Sequence, residues 1–160
     1  MRHGNPAGPE ELGQGLKSLR EQLATLGFQG TLYGEPGRWV VGPGGYWAAR
    51  VAAVKGHPRG EQHRVVVLDT NTPMPCRPSL APFVVLRQGD LLRSPRRLIC
   101  DVFGSANTAL DSIGCEVRLP ALEPGDVVVS VAQGAYTRSL IPPFNERERP
   151  RAIVLDWSCR

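Results

Sequence analysis

Three short stretches of this chain carry residue types that could do chemistry. Glu35-Pro36-Gly37-Arg38 joins a carboxylate, a backbone that can approach a ligand closely, and a guanidinium whose planar fork can grip a phosphate. Gly134-Ala135-Tyr136-Thr137 places a phenol behind two small residues, beyond the apolar run Val127-Val128-Val129. A tyrosine there can project its hydroxyl from a rigid strand end into a site. Between them lies Gly104-Ser105-Ala106-Asn107-Thr108-Ala109-Leu110-Asp111, a loop of small residues that can line a pocket at the end of a strand. Each stretch also has a plainer reading, as turn, strand end or surface loop. The chain contains its own control. Glu123-Pro124-Gly125-Asp126 repeats the first three residues of the Glu35 motif before a strand and reads as a turn. The tripeptide alone is therefore weak, and only its context can promote it.

The other reactive side chains point away from several chemistries. Lys55 follows a strand and precedes Gly56-His57-Pro58-Arg59-Gly60, which reads as an exposed hairpin loop where a lysine is solvated rather than nucleophilic. His57 and His63 lie in or beside that loop, and His3 near the start; no Asp or Ser constellation accompanies them, so a hydrolase triad has no support. Cys76, Cys100, Cys115 and Cys159 form no CxxC pair and lie apart from the histidines, which gives no zinc spacing. No signal peptide argues for disulfides, and the expected setting is a reducing, cytoplasmic one. No apolar run approaches the ~20 residues that a membrane span requires.

The elements that must position these residues are short. A length of 160 residues suggests one domain, or one domain with an appendage. Eighteen glycines and fifteen prolines imply many turns, hence a β-rich fold with short strands. The net charge of +4 comes from scattered arginines, with only Lys17 and Lys55 as lysines, and no nucleic-acid-binding spacing accompanies them. Residues 1–8 read as disordered. A helix then starts at Pro9 with acidic Glu10 and Glu11 in its first turn, carries Leu12, Leu16, Leu19, Leu23 and Leu26 on one face, and stops at Gly27. Strands are expected at Gly30–Tyr33, Trp39–Val41, Tyr46–Val54, His63–Leu68, Phe83–Leu86, Leu98–Phe103, Val127–Val131 and Ala152–Leu155. Gly42-Pro43-Gly44-Gly45 reads as a turn, residues 69–82 as Pro-broken and irregular, and the 104–111 loop as leading into a helical turn. The helix and first strand look like the end of an α/β unit, and the remainder like an antiparallel sandwich or barrel.

In their order and spacing these motifs, together with Leu119-Pro120-Ala121-Leu122-Glu123-Pro124-Gly125-Asp126 and Phe144-Asn145, resemble the C-terminal part of the ornithine/diaminopimelate/arginine decarboxylase family. The resemblance covers about residues 10–158. These are pyridoxal-phosphate enzymes of the alanine racemase-like fold. The resemblance implies a mainly β fold: a C-terminal Greek-key-like β-barrel domain over 38–160, preceded over 9–37 by the last helix and strand of a β/α barrel. It also implies roles for residues. Glu35 would pair with the pyridine nitrogen and keep it protonated, Gly37 and Arg38 would hold the phosphate, and Tyr136 would reach the same phosphate. The family's Schiff-base lysine lies early in the β/α barrel, and Lys55 does not match it. The position of the family's proton-donating Cys is Asn107, whose amide cannot act as an acid at neutral pH, and the acidic residue after it is replaced by Thr108. A second acidic contact after Asp69 gives way to Asn71-Thr72-Pro73-Met74; in the family that loop is donated across a dimer interface.

Three functional expectations follow from the resemblance. The chain is the C-terminal subunit or fragment of a pyridoxal-phosphate-dependent amino-acid decarboxylase, inactive alone and completed by a barrel protein or a homodimer, with an amino-acid-derived substrate. Alternatively it is a non-catalytic decarboxylase-like protein that binds and regulates a homologous enzyme. In a third reading it is a relic without activity. None of these calls for a metal, a nucleic acid or a membrane.

Overall fold

β-branched and aromatic residues favour the pleated backbone, and here the longest run of alternation organises the rest. The computed structural model describes residues 8–71, 83–108, 110–141, 143–146 and 148–156. Strand β1 (Trp47–Gly56) buries Trp47, Ala49 and Val51 while Ala48, Arg50 and Ala52 face solvent. Beside it stand β2 (His63–Leu68), β3 (Phe83–Arg87), β4 (Asp90–Leu91), β5 (Arg97–Phe103), β6 (Ser112–Pro120) and β7 (Val127–Ser130). Together they form one seven-stranded sheet in the order β4-β3-β7-β1-β2-β5-β6.

β1 divides its length between two neighbours. Residues 47–50 pair antiparallel with β7, and from Val51 onward the strand pairs antiparallel with β2. The hand-over sits at a register shift between Val51 and Ala53, where Val51 N–H donates to the Asp126 carbonyl and Asp69 N–H donates to the Arg50 carbonyl. A bulge of this kind bends the strand. The bend lets Val51, Val66, Leu68, Val85, Leu98, Val102, Ile113, Leu119 and Val128 converge in a single core.

Several expectations hold and several do not. α1 (Pro9–Thr25) forms as the leucine spacing predicts, ending where Gly27 adopts φ +80° and its N–H donates to the Ala24 carbonyl. It starts one residue after Gly8, which was expected in the disordered start and instead accepts a hydrogen bond from Leu12 N–H; residues 1–7 lie outside the described residues. None of α1's residues is buried. The strand expected at Gly30–Tyr33 does not form, and that segment is exposed and irregular. Trp39-Val40-Val41 is not a strand but part of the short helix α2 (Gly37–Val41), followed by a 3-10 turn at Gly42–Gly44. Pro36 starts that helix, accepting from Val40 N–H, and contacts with residues 133–134 close it, so tertiary contacts override the β preference of two valines.

β6 has no counterpart among the expected strands. Its apolar alternation is broken by Glu116, whose φ of +54° places a bulge in mid-strand, and period-2 reasoning cannot see through a bulge. β2 and β5 run parallel, where an all-antiparallel sheet was expected, because the chain crosses over between Asp69 and Arg96. Ala152–Leu155 is exposed and makes no ladder among the described residues. The Thr72-Pro73-Met74 segment, Ala109, Cys76 and Cys159 lie outside the described residues.

Candidate functional site

The fold brings the first and second motifs together. After β7 the chain turns through Ala132, at φ +56°, and lays residues 133–137 against 37–45. Gln133 N–H donates to the Gly45 carbonyl at 2.8 Å, and Gly134 N–H to the Gly42 carbonyl at 3.0 Å. Two glycines make the approach possible. A Cβ on Gly45 would strike the Gly134 backbone, and one on Gly134 would strike the Val41 carbonyl. Beneath this contact Gln133 Nε2 donates to Ser130 Oγ at 3.1 Å, and Thr137 Oγ1 donates to Gln133 Oε1 at 3.0 Å, both bonds buried. That satisfied polar network fixes the turn from below.

Tyr136 caps the arrangement. Its φ is +67°, a left-handed conformation that a bulky residue adopts only when its surroundings hold it there. The Tyr136 carbonyl accepts from Leu140 N–H and from Ser139 Oγ, both at 3.0 Å. A Cβ on Gly37 would lie 3.0 Å from the Tyr136 hydroxyl, so the glycine's bareness keeps open the space beside the phenol. The Arg38 guanidinium carbon stands 5.3 Å from the centroid of the Tyr136 ring, within cation–π range. Tyr136 remains 54% exposed. A guanidinium fork, a phenol hydroxyl and an uncovered backbone therefore share one accessible spot, a donor set suited to an oxyanion such as a phosphate. Glu35 enters α2 from an exposed, irregular segment and makes no hydrogen bond or ion pair among the described residues.

The third motif builds a separate, hydrogen-bonded loop at the same end of the sheet. Asp111 is buried and its Oδ2 accepts from Ala106 N–H at 2.6 Å, while its carbonyl accepts from Gly104 N–H at 2.9 Å. Ser105 N–H donates to the Thr70 carbonyl at 2.8 Å, tying the loop to the end of β2. Asn145 Nδ2 donates to the Ala106 carbonyl at 2.9 Å and links Phe144-Asn145 to the loop. The result holds Asn107 outward, exposed and at φ +57°. Among the described residues no hydrogen bond or ring contact joins Asn107 to Arg38 or Tyr136. Lys55 is exposed on β1, away from both clusters. His57 does find a carboxylate, with Nε2 3.3 Å from Asp101 Oδ2, but among the described residues no serine completes a triad.

The control tripeptide behaves as a turn. Gly125 has φ +97°, and Asp126 Oδ2 accepts from Glu123 N–H at 2.8 Å. Asp126 is buried and faces Arg87, whose Nε and Nη2 reach its two oxygens at 2.8 and 2.9 Å. That hydrogen-bonded guanidinium holds the Asp126 carboxyl below the usual carboxylate range, and Asp126 in turn raises Arg87. Gln133 stands outside every stretch that the sequence singled out, and Gly45, Thr137 and Asp111 stand inside such stretches without a role of their own. Gly45 belonged to an ordinary turn, and nothing in a linear reading pairs it with Gly134.

No protein-family model matches the chain. Diaminopimelate decarboxylase of Helicobacter pylori (strain ATCC 700392 / 26695) is 31% identical over 135 residues, covering 81% of this chain and 32% of that relative. Diaminopimelate decarboxylase of Synechocystis sp. is 30% identical over 128 residues, covering 78% of this chain and 26% of that relative. Among solved structures, H. pylori diaminopimelate decarboxylase complexed with L-lysine matches with a TM-score of 0.56 at 30% identity, over 71% of this chain and 27% of that one. A further diaminopimelate decarboxylase structure matches with a TM-score of 0.67 over 92% of this chain and 38% of that one; at 23% identity it speaks for the fold alone. The chain spans about a third of the length of the curated relatives it matches.

Proposed function

The chain is homologous to the C-terminal region of the ornithine/diaminopimelate/arginine decarboxylase family, and from that premise we propose that it supplies the phosphate-binding wall of a pyridoxal-phosphate-dependent decarboxylase whose Schiff-base lysine lies on another chain. One observation carries the proposal. Gly37 and Arg38 meet Tyr136 across the fold, although the whole β sheet separates them in sequence. The sheet is then the family's C-terminal β-barrel domain, and α1 the last helix of a β/α barrel supplied from outside. A helix that buries none of its residues suits that role.

The donor set fits the cofactor's phosphate. Arg38 would donate to it through its fork, Tyr136 through its hydroxyl, and Gly37 would leave the backbone close enough to approach it. Glu35 would hold a proton at the pyridine nitrogen. The cofactor, when bound, supplies the electron sink that accepts the pair released as a carboxylate leaves as carbon dioxide. Asn107 would face the substrate side with an amide that can orient a group by hydrogen bonding but cannot donate a proton as an acid. The substrate would be an amino acid, and the setting cytoplasmic, with Cys100 and Cys115 as thiols.

The test mixes this chain with a barrel chain that carries the cofactor lysine, such as the barrel segment of the H. pylori relative. The visible absorbance of bound pyridoxal phosphate is then recorded. The proposal expects a complex that retains cofactor, with retention at least about tenfold weaker in Arg38→Ala and Tyr136→Phe. A purified complex without cofactor overturns it. A second reading, a non-catalytic partner that regulates a homologous enzyme, is favoured by the exposed amide at Asn107. It expects a complex whose assembly and cofactor content are indifferent to both substitutions.

A further inference from the structure

A cavity of about 240 Å³ opens at the other end of the sheet, where β2 and β5 begin. Its walls are apolar: Val54 of β1, Val66 of β2, Leu98 of β5 and Leu122 of the β6–β7 connection. Two arginines line it as well, Arg64 and Arg96. Arg64 is half-buried, and its Nη1 is pinned by main-chain carbonyls, donating to Glu61 and to His63 at 2.7 Å each. Those neutral acceptors orient the fork without neutralising its charge. Arg96 is exposed, and its guanidinium makes no hydrogen bond among the described residues. No carboxylate of the described residues pairs with either one.

A cation held at the edge of low-dielectric walls attracts an anion more strongly than one in open water, and an unpaired, partly buried cation is costly until it finds one. The apolar walls select against a purely mineral anion, because its hydration would be lost against valine and leucine without compensation. The volume lies below the ~300–1,000 Å³ of ordinary drug-sized pockets, which restricts the occupant to a short chain. From this pairing of charge and apolar surface we propose that the cavity is a binding site for a short aliphatic carboxylate, with the head on Arg64 and Arg96 and the tail among Val54, Val66, Leu98 and Leu122. The site is independent of the phosphate-binding reading. It lies toward the start of β2, whereas Gly45 and Tyr136 lie beyond the start of β1 and the end of β7.

The experiment titrates the full chain with hexanoate by calorimetry and follows amide shifts by NMR, with hexanol, acetate and inorganic phosphate as parallel probes. The expected dissociation constant for hexanoate is on the order of 0.1–1 mM, as befits a ligand of so few atoms. Arg64→Gln and Arg96→Gln should each weaken it about tenfold, Arg96 being exposed and so no threat to folding. Shifts should map to β2, β5 and the β6–β7 connection. Hexanol binding as tightly as hexanoate would reduce the cavity to an apolar cleft, and phosphate or acetate binding as tightly would reduce it to a surface charge. Either result overturns the proposal, as does the absence of saturation at about tenfold the expected constant.

Discussion

Gly134→Ala should unlatch the two segments that bring Tyr136 to Gly37. The added Cβ strikes the Val41 carbonyl oxygen and lies 3.0 Å from both Gly45 N and Val41 C. These are main-chain atoms, so no side-chain rotation relieves the overlap and the segments must part. Overpacking costs about 1–3 kcal/mol. Parting also endangers the Gly134–Gly42 and Gln133–Gly45 hydrogen bonds, at about 1 kcal/mol each. The expected loss is ~3–5 kcal/mol. At about 2–4 °C per kcal/mol for a domain of this size, that lowers Tm by on the order of 10 °C. Thermal melts followed by circular dichroism measure it, and Gly15→Ala is the control. Gly15 lies within α1 with nothing near its Cβ position, so alanine there should add up to about 1 kcal/mol. A Gly134→Ala protein melting within about 2 °C of the parent would refute the account of how the site is held.

Asp126→Asn removes the charge from a buried carboxylate that accepts two bonds from Arg87, and should cost about 2–3 kcal/mol at neutral pH. Because the folded Asp126 titrates below its ordinary value, this stabilisation is complete above the usual carboxylate range near pH ~4 and is lost as the pH falls through the lower folded value. Urea midpoints of parent and variant should therefore converge on acidification; a gap that persists or widens in acid would contradict the pairing. Burial pushes the Cys100 thiol up to about 11, so iodoacetamide at pH ~8 should modify exposed Cys115 and spare Cys100 until the chain is unfolded, as read by peptide mass spectrometry. Asp111→Ala leaves the buried Ala106 N–H without its acceptor, at about 1–3 kcal/mol, and should accelerate amide exchange across residues 104–108 while β1 and β7 stay protected.

What could be read from the sequence was set by how local each cause is. His63–Leu68 carries its β-branched residues in one run, and the strand forms with those bounds. The leucine spacing of α1 is likewise a local signal and yields the helix. At Trp39-Val40-Val41 local preference points to a strand, and the helix comes from contacts with residues 133–134 that no linear window contains. Ser112–Pro120 failed for another reason, since the Glu116 bulge resets the alternation halfway along. The parallel pairing of β2 with β5 is a matter of topology rather than propensity. For the site, residue types suggested only a phosphate-gripping arginine and a projecting phenol; that Gly37, Arg38 and Tyr136 share one phosphate is what the family resemblance implies, and the structure brings Gly37 and Arg38 to Tyr136. The glycines that enforce the approach, Gly45 and Gly134, became meaningful only once both segments were in place.

The shortness of β7 has a consequence for synthesis. Among the described residues, four, Val127–Ser130, form the only ladder joining the β3–β4 hairpin to β1, and through it to β2, β5 and β6. On a ribosome, β1 to β6 emerge before that ladder exists. Phe83–Arg87 must wait with its inner face unmatched while more than thirty residues follow it out of the tunnel. Long-range closure of this kind is slow, and a waiting apolar strand edge is a target for chaperones and for other nascent copies. Yield in the cell should depend on how quickly translation carries the chain past Ser130, and synonymous slow codons placed just upstream of Val127 should lower the soluble fraction without changing a single residue.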